Sequence, residues 1–286
     1  MPLKMKRSTE LISSKNNPLV IRLAKLEEKK YREEEHLFRL DGIKLMLEAL
    51  AFGAEVEYIL VREDSVGRVE SAIDEFFHND LLDCGGVFIT IGGAAFSKLS
   101  SEKSPEGVIT VVRYAEDFHV NSESESENVF SNNERILFLE SVRDPGNLGT
   151  IMRSGAAFGI DRVILSRDCA DIYNPKTLRA AMGALFKVRS TRVYNVTAAI
   201  EALTLSGRRV FAAALDKNAM SLGSFEIREN DVFLIGNEGH GLSPEAFKAA
   251  TGSVFIPMAE GTESLNAAVA ASVCLWESSK IQERNK

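Results

Sequence analysis

The sequence predicts an α/β protein of two domains, the second built on a parallel sheet. Three observations predict this class. The chain has 286 residues, about two domains at roughly 150 residues each. Residues 115–134 alternate Ser, Glu and Asn and hold few apolar residues, as expected of a linker. After them, short apolar runs alternate with helix-length segments, a pattern typical of parallel sheets wrapped by helices.

The first domain is expected to span residues 1–114. Residues 18–50 have a helical pattern with one break. Three apolar, β-branched segments predict buried strands at 56–63, 86–91 and 107–114. We place an acidic linker at 115–133, because apolar residues are too sparse there to offset the entropy of ordering.

The second domain is expected to span residues 134–286. Its strands are predicted from short apolar runs that begin at Ile136, Arg162, Arg208, Asp231 and Ser253. In an open α/β sheet, ligands bind beyond the carboxyl ends of the strands. Polar, glycine-rich segments that follow these strands are therefore the candidate binding loops.

Composition excludes several classes of protein. Hydrophobic residues make up 45% and charged residues 26%, which is ordinary for a globular protein. There is no apolar run long enough for a membrane span, and the first residues lack the apolar core of a signal peptide. Three widely spaced cysteines give neither a disulfide framework nor a zinc pattern. These features predict a cytoplasmic protein without a metal site or a membrane partner.

The charge is unevenly distributed. The net charge is −7, yet residues 1–32 hold nine Lys/Arg against three acids, and residues 141–192 hold nine against four. Six of the acids fall within residues 115–134. Two positive regions, on a chain that is acidic overall, permit nucleic-acid binding but do not by themselves establish it.

The commonest catalytic motifs do not occur. The sequence has no GxGxxG fingerprint, no GxxxxGK[ST] loop, no HExxH and no GxSxG. Nicotinamide chemistry, hydrolysis of nucleoside triphosphates, zinc proteolysis and hydrolase chemistry are therefore disfavoured.

A first candidate loop occupies residues 140–159. Asp144-Pro145-Gly146 predicts a turn, and Asn147 is expected to cap the following helix. Arg153 lies six residues further along, among Gly, Ala, Met and Ile. A guanidinium in such a setting needs a partner, and a phosphate group is a natural one.

Two further candidate loops follow. Residues 233–245 run from a strand into Gly236, Gly239 and Gly241, and Ser243 then caps a helix opened by Pro244. Residues 255–277 leave a strand at Pro257 and enter an Ala-rich helix. Three glycines within six residues allow the backbone to approach a flat ligand closely, whereas a plain turn would need only one.

Together these segments resemble the three signature motifs of the SpoU (TrmH-like) RNA ribose methyltransferases of the SPOUT superfamily. The resemblance covers residues 134–280 and includes Asn147-x-Gly149-Thr150-x-x-Arg153, Gly236-x-Glu238-x-x-Gly241-Leu242-Ser243, Ile256-Pro257-Met258 and Ser264-Leu265-Asn266. Residues 174–183 also match the family pattern. The sequence departs from it at Ala181, where the family commonly has a serine, and at Ala267-Ala268, where Val-Ser is common.

The resemblance implies S-adenosylmethionine as methyl donor, an RNA ribose 2′-hydroxyl as acceptor, and a SPOUT domain tied in a deep trefoil knot. By the family pattern, the catalytic positions are Asn147, Arg153, Glu238, Ser264 and Asn266. The cofactor positions are Gly236, Asn237, Glu238, Gly239, Gly241, Ile256, Met258, Ser264 and Leu265. Such sites are typically completed across a homodimer, which makes a second copy of the chain the expected partner.

The first domain resembles the ribosomal-protein-like α/β substrate-binding domain that often precedes this methyltransferase fold. The residues concerned are 14–18, 25–26, 29–32 and 37–42, where Asp41-Gly42 replaces the usual Glu-Gly. RNA is thus the expected partner, and basic side chains supply attraction to its phosphates. We expect RNA contacts from Lys15, Lys29, Lys30, Arg32, Arg143, Arg153, Lys176 and Arg179.

Three functions remain open at this point. The leading one is an RNA 2′-O-methyltransferase acting on 23S-type ribosomal RNA, with transfer RNA as the alternative substrate. The second is a non-catalytic RNA-binding or ribosome-binding factor, which would be expected to have damaged motifs. The third is a methyltransferase acting on a small molecule or a base, which a basic first domain argues against.

Overall fold

The computed structural model describes residues 3–78, 82–115, 119–122, 133–237, 239–261 and 264–284. Two compact units are present. The N-terminal unit comprises residues 1–116 together with 173–179, and the C-terminal unit comprises 117–172 and 180–286. By their contacts, residues 173–179 group with the N-terminal unit, and the predicted domain boundaries stay predictions.

The N-terminal unit contains a five-stranded mixed sheet. Its strand order is β1-β4-β3-β5-β2; β1, β4 and β3 are parallel, and β5 is antiparallel to both β3 and β2. In chain order the elements are β1 Leu3–Arg7, α1 Pro18–Ala24, α2 Lys29–Glu35, β2 Leu37–Asp41, α3 Ile43–Ala51, β3 Val56–Arg62, α4 Val66–Phe77, β4 Leu82–Ile91, α5 Gly93–Leu99 and β5 Val108–Arg113. The strands predicted at 56–63, 86–91 and 107–114 are confirmed.

The helical prediction over residues 18–50 is wrong at β2. His36 adopts a left-handed conformation with φ of 52° and ends α2, and the chain then pairs antiparallel with β5. The buried Arg39 in this strand donates to the backbone oxygen of Leu99 at 2.6 Å and to the carboxylate of Glu27 at 2.6 Å. These long-range partners allow a charged residue in a buried strand. Because Arg39 interrupts the apolar pattern, that pattern does not predict β2.

The C-terminal unit contains an eight-stranded sheet in the order β11-β13-β10-β12-β7-β8-β9-β6, and every pairing in it is parallel. This confirms the predicted parallel sheet. In chain order the elements are β6 His119–Ser122, β7 Ile136–Leu139, α6 Pro145–Ala157, β8 Arg162–Ser166, α7 Pro175–Ala181, β9 Arg189–Val193, α8 Val196–Leu205, β10 Val210–Ala213, β11 Met220–Ser221, β12 Val232–Ile235, α9 Pro244–Ala249, β13 Gly252–Phe255 and α10 Ala267–Arg284.

The predicted linker contains one element of the sheet. Residues His119–Ser122 form β6, which pairs with β9 and lies at the edge of the sheet, so the prediction of a structureless segment is wrong there. Parallel pairing satisfies the backbone hydrogen bonds of a segment whose side chains give no apolar pattern. Residues 116–118 and 123–132 of the predicted linker lie outside the described residues.

The centre of the sheet is covered on both faces. All four residues of β7 are at most 2% exposed, so apolar side chains pack on both sides of this strand. One face packs against α8 and α9, and the apolar cluster there includes Phe138, Ile200 and Leu234. Because all strands are parallel, their carboxyl ends share one edge, where the candidate loops are expected to meet. The predicted trefoil knot stays a prediction.

No helix within the described ranges is long and apolar enough to span a bilayer.

Candidate active site

A pocket of about 720 Å³ opens at the carboxyl edge of the C-terminal sheet. The ends of β10, β12 and β13 and the start of α10 form its walls. Eight of the nine predicted cofactor residues line it: Gly236, Asn237, Gly239 and Gly241 from the loop after β12, and Ile256, Met258, Ser264 and Leu265 from the segment after β13. The ninth, Glu238, lies outside the described residues.

The loop after β12 is closed by its own backbone. The amide of Asn237 donates to the oxygen of Gly241 at 3.0 Å, and the amide of Gly241 donates back at 2.9 Å. The Asn237 side chain accepts from the amide of Gly239 and donates to the backbone oxygen of Ser141 at 2.9 Å. The Asn237 amide group therefore holds the pocket loop in shape and joins it to the first candidate loop.

Gly236 sits where the loop crosses itself. A Cβ atom at this position would lie 2.5 Å from the carbonyl carbon of Gly241 and 2.7 Å from the amide nitrogen of Leu242. Both neighbours are backbone, which cannot rotate away. Gly236 is thus required by the closed loop itself, whatever ligand the pocket binds.

Glu140 joins this loop to the end of β7, and the sequence analysis missed it. Its side chain is buried and accepts from the amide of Ser243 at 2.9 Å and from the hydroxyl of Ser243 at 2.6 Å. The Ser243 hydroxyl oxygen also accepts from the amide of Ala246, which caps α9 as predicted. Its position at the end of a predicted buried strand could have indicated this role, since a buried carboxylate needs hydrogen-bond donors.

Helix α6 starts differently from the prediction. Its N-cap is Asp144, whose carboxylate accepts from the amide of Asn147 at 2.9 Å, with Pro145 at the first helical position. The prediction that Asn147 is the cap is wrong, because Asp144 is the residue with extended backbone and Asn147 lies within the first turn. This leaves the Asn147 side chain oriented towards α10 instead.

Asn147 and Asn266 are brought together by α6 and α10. The Asn266 amide donates to the side-chain oxygen of Asn147 at 3.1 Å. The other end of the Asn266 side chain accepts from the amide of Ala268 at 3.0 Å and so caps α10. Two residues predicted to be catalytic, 119 positions apart in the sequence, are thereby in contact, and Asn266 follows the pocket residue Ser264 by two positions.

Arg153 lies elsewhere on α6. It is exposed and does not line the pocket, and within the described part of the chain its guanidinium has no hydrogen bond or ion pair. The exposed residues Thr150 and Ala157 lie on the same face of the helix. The side chain of this free cation is therefore available to a group outside the chain.

The first candidate loop is anchored through Ser141. This residue adopts φ of 57°, which is uncommon for a residue with a side chain. Its amide donates to the hydroxyl of Ser166 at 2.8 Å and its own hydroxyl donates to Asp168 at 2.7 Å. Asp168 also accepts from Arg143 at 2.7 Å.

Asp168 is held as a carboxylate by these donors. Burial raises the pKa of Asp168, but hydrogen bonds from Arg143, Ser166 and Ser141 outweigh it and lower that pKa to about 2. The folded protein thus binds this proton more weakly than the unfolded chain does, so ionised Asp168 stabilises the fold.

We expect this contribution to be complete above about pH 4, the unfolded value, and to be lost as the pH falls towards 2. Urea unfolding at a series of pH values in this range measures the effect: as the pH falls, the free energy of unfolding should decrease more steeply for the wild type than for Asp168→Asn. Equal dependence on pH in the two proteins would contradict this prediction.

The predicted RNA-binding residues divide into two groups. Arg32 is 1% exposed, and its Nη1 donates to the backbone oxygens of Leu26 and Glu27 at 2.8 and 2.7 Å. Its predicted role is therefore wrong, because a guanidinium enclosed by carbonyl groups cannot reach a phosphate. The remaining residues are exposed: Lys15, Lys29, Lys30, Arg143, Arg153, Lys176 and Arg179. Some of them have nearby acids, such as Glu33 beside Lys29 and Glu102 beside Arg179.

The pocket suits S-adenosylmethionine in size and chemistry. Its volume lies within the ~300–1,000 Å³ usual for small-molecule sites. The walls combine apolar side chains such as Ile256 and Leu265 with the polar backbone of a glycine loop. Asp216, after β10, is the one carboxylate among the described residues that line the pocket, and it complements a cationic ligand. Asp216 was not among the predicted site residues, although its position after a predicted strand could have indicated a place in the binding pocket. No group of His, Cys, Asp and Glu in the described ranges could hold a metal ion.

The family model described as "SpoU rRNA Methylase family" matches residues 134–276. The chain belongs to this family. A second model, the MRM3-like substrate binding domain, matches residues 17–110 of this SpoU methylase. The first range contains β7 to β13, and the second contains β2, β3 and β4.

Related proteins match most of the length of this SpoU methylase. The Bacillus subtilis 23S rRNA (guanosine(2553)-2′-O)-methyltransferase RlmP is 29% identical over 93% of this chain and 97% of its own. The Acinetobacter baylyi 23S rRNA (guanosine-2′-O-)-methyltransferase RlmB is 30% identical over 64% of this chain and 74% of its own. The AdoMet-bound rRNA methyltransferase from Sinorhizobium meliloti is 26% identical with a TM-score of 0.79, covering 98% of this chain and 99% of that one.

The predicted fold class, activity and methyl donor are thus confirmed. This SpoU methylase is an RNA ribose 2′-O-methyltransferase that uses S-adenosylmethionine. The pocket residues after β12 and β13 fit the methyl donor, and Asn266, which bonds Asn147, directly precedes the pocket residue Ala267.

Proposed function

We propose that this SpoU methylase methylates a ribose 2′-hydroxyl in 23S-type ribosomal RNA. The observation that carries the proposal is the pocket beside the Asn147–Asn266 pair, in a chain whose N-terminal unit matches a substrate-binding domain. Relatives named as 23S rRNA methyltransferases support the choice of ribosomal RNA over transfer RNA. RNA is the partner that the exposed basic side chains favour.

In this mechanism the protein mainly orients the reactants. S-adenosylmethionine supplies an electrophilic methyl group on a sulfonium. The loop after β12 and the segment at Ile256–Met258 hold the donor by backbone contacts and apolar packing. Asn147 and Asn266 hold the ribose at the rim, with Ser264 and Glu238 assigned to the same task. Fixing the acceptor oxygen in line with the methyl group lowers the barrier without further chemistry from the protein.

We assign Arg153 to the phosphate of the target nucleotide. Because an arginine is effectively always protonated, it is a poor proton acceptor. A guanidinium bound to the phosphate lowers the pKa of the neighbouring 2′-hydroxyl, and the proton leaves to that phosphate or to water.

A homodimer is also part of the proposal. Arg153 is exposed and does not line the pocket of its own chain, and α10 exposes Val269 and Trp276, with 47% and 52% of each residue accessible. Helices α6 and α10 pack together, with Ser154 and Ser272 hydroxyls 2.8 Å apart, so these exposed groups lie on one adjoining surface. We propose that this surface pairs with a second copy, whose Arg153 completes the site. The cytoplasmic location expected from the sequence stays a prediction.

Tritium transfer tests the proposed function. The purified protein is incubated with labelled S-adenosylmethionine and total RNA from a strain that lacks this gene. We expect label in large-subunit ribosomal RNA that survives alkaline digestion as dinucleotides, because alkaline cleavage needs a free 2′-hydroxyl. Label confined to transfer RNA would show that transfer RNA, and not ribosomal RNA, is the substrate. No incorporation into RNA or ribosome precursors, with intact donor binding, would favour a non-catalytic binding factor.

A further inference from the structure

An aromatic and basic surface continues the carboxyl edge of the C-terminal sheet beyond the pocket. Three exposed residues define it: Arg143, Arg167 and Tyr194, which follow β7, β8 and β9 respectively. These strands are adjacent in the sheet. We call this set the edge surface. Of the three, only Arg143 was expected to contact RNA. Arg167 and Tyr194 belong neither to the cofactor pocket nor to the Asn147–Asn266 pair.

The three side chains form a contiguous surface. Arg143 pairs with Asp168 at 2.7 Å, and Asp168 directly follows Arg167 in the chain. The Arg167 guanidinium lies 5.5 Å from the centroid of the Tyr194 ring. Tyr194 is 45% exposed, so part of its ring is accessible to a ligand.

The backbone beneath the edge surface is held in place by Arg192. Its Nη1 donates to the backbone oxygens of Ser166, Arg167 and Cys169 at 3.0–3.1 Å, and its Nη2 donates to that of Ala170 at 2.9 Å. Four hydrogen bonds from one guanidinium fix the turn that carries Arg167 and Asp168. A preorganised surface of this kind loses little entropy when a ligand binds.

The charge of the edge surface complements an anion. Arg143 and Arg167 on the edge surface and Arg192 beneath it are positively charged, and Asp168 pairs with Arg143, in a chain whose net charge is −7. The edge surface is also continuous with the pocket. The pocket residue Asn237 donates to the oxygen of Ser141, and the hydroxyl of Ser141 donates to Asp168.

We propose that the edge surface binds a single-stranded nucleotide next to the methylated one. Tyr194 stacks on its base, and Arg143 and Arg167 contact the phosphates on either side. An exposed tyrosine beside arginines suits a strand whose bases are unstacked, since bases within a duplex present no free face. This inference rests on the proposed function, because it identifies the conformation of RNA that the site accepts.

Kinetics with Tyr194 variants tests it, using 23S ribosomal RNA from a strain lacking this gene. We expect Tyr194→Ala to raise the KM for RNA about tenfold, the scale of one lost base stack, with kcat unchanged. Tyr194→Phe keeps the ring and should stay within about twofold of the wild type. Arg167→Gln should reduce the slope of log Kd against log salt concentration by about one unit, because one phosphate contact is lost.

Two matched controls lie in the same unit at the opposite, amino-terminal edge of the sheet: Leu205→Ala, at the exposed end of α8, and Arg228→Gln, before β12. Both should leave the KM for RNA unchanged. Calorimetric affinity for S-adenosylmethionine should be equal in all variants, which shows that each one is folded. A KM for Tyr194→Ala within twofold of the wild type, or an equal rise in Tyr194→Phe, would overturn the inference.

The proposed function can fail separately. If the wild type transfers no methyl group to ribosomal RNA, the proposed substrate is wrong, and the edge surface is then judged by filter binding of the same RNA. Weaker binding by Tyr194→Ala than by Leu205→Ala would still support the edge surface. Equal binding by the two variants would reject it.

Discussion

Arg153→Ala is expected to abolish methyl transfer while S-adenosylmethionine binds with wild-type affinity. The side chain is exposed, lies outside the pocket and has no partner among the described residues, so its removal leaves the pocket intact. Loss of one preorganised cationic contact to the reacting group should lower kcat by about a thousandfold. Single-turnover transfer to ribosomal RNA and calorimetry with the donor measure the two effects separately.

Two further variants interpret this result. Arg153→Lys keeps the charge but not the planar fork, so we expect a partial recovery of kcat. Arg228→Ala removes an exposed arginine at the opposite edge of the sheet and should behave as the wild type. Wild-type turnover by Arg153→Ala would contradict both the phosphate-binding role and a role as proton acceptor.

Gly236→Ala is expected to weaken binding of the methyl donor strongly. The added Cβ would lie 2.5 Å from the Gly241 carbonyl carbon, so the loop after β12 must open and lose the paired hydrogen bonds between Asn237 and Gly241. The rearrangement that relieves such a backbone clash costs about 1–3 kcal/mol. A cost of about 3 kcal/mol would raise the Kd for the donor by roughly 100-fold. Calorimetric titration measures the change.

Gly239→Ala is the matched control in the same loop. A Cβ there would lie 3.4 Å from the side-chain oxygen of Asn237, a contact that a small shift relieves. We expect a donor affinity close to that of the wild type. An equal loss of donor affinity in both variants would show that the loop tolerates no side chain at either position. That result would contradict a specific requirement for glycine where the backbone of Gly236 approaches that of Gly241.

Mixing the Arg153→Ala and Gly236→Ala proteins tests the proposed dimer. If Arg153 acts on the pocket of a second copy, a mixed dimer contains one intact pocket facing one intact arginine, and activity returns. If Arg153 acts on its own pocket, every site in the mixture carries a lesion and the mixture stays inactive. Light scattering establishes whether the wild type is a dimer under the same conditions.

The sequence was most informative where apolar runs are long and local. The strands at 56–63, 86–91 and 107–114, and the parallel sheet of the second domain, follow from hydrophobic pattern alone. It was least informative at β2 and β6. Arg39 within β2 is tolerated only because Glu27 and Leu99 meet it across the fold, and β6 is held by backbone pairing with β9.

By itself, the sequence determined the family and most of the pocket. The resemblance of its motifs to the SpoU family implied eight residues that line the pocket, and the glycine loops after buried strands indicated where the pocket lies. Tertiary structure alone decided that Asn147 meets Asn266, that Asp144 caps α6, that Arg32 is enclosed, and that Tyr194 lies beside Arg167. The physical reason is that parallel strands bring their carboxyl ends to one edge, so groups distant in the chain become neighbours only once the sheet has formed.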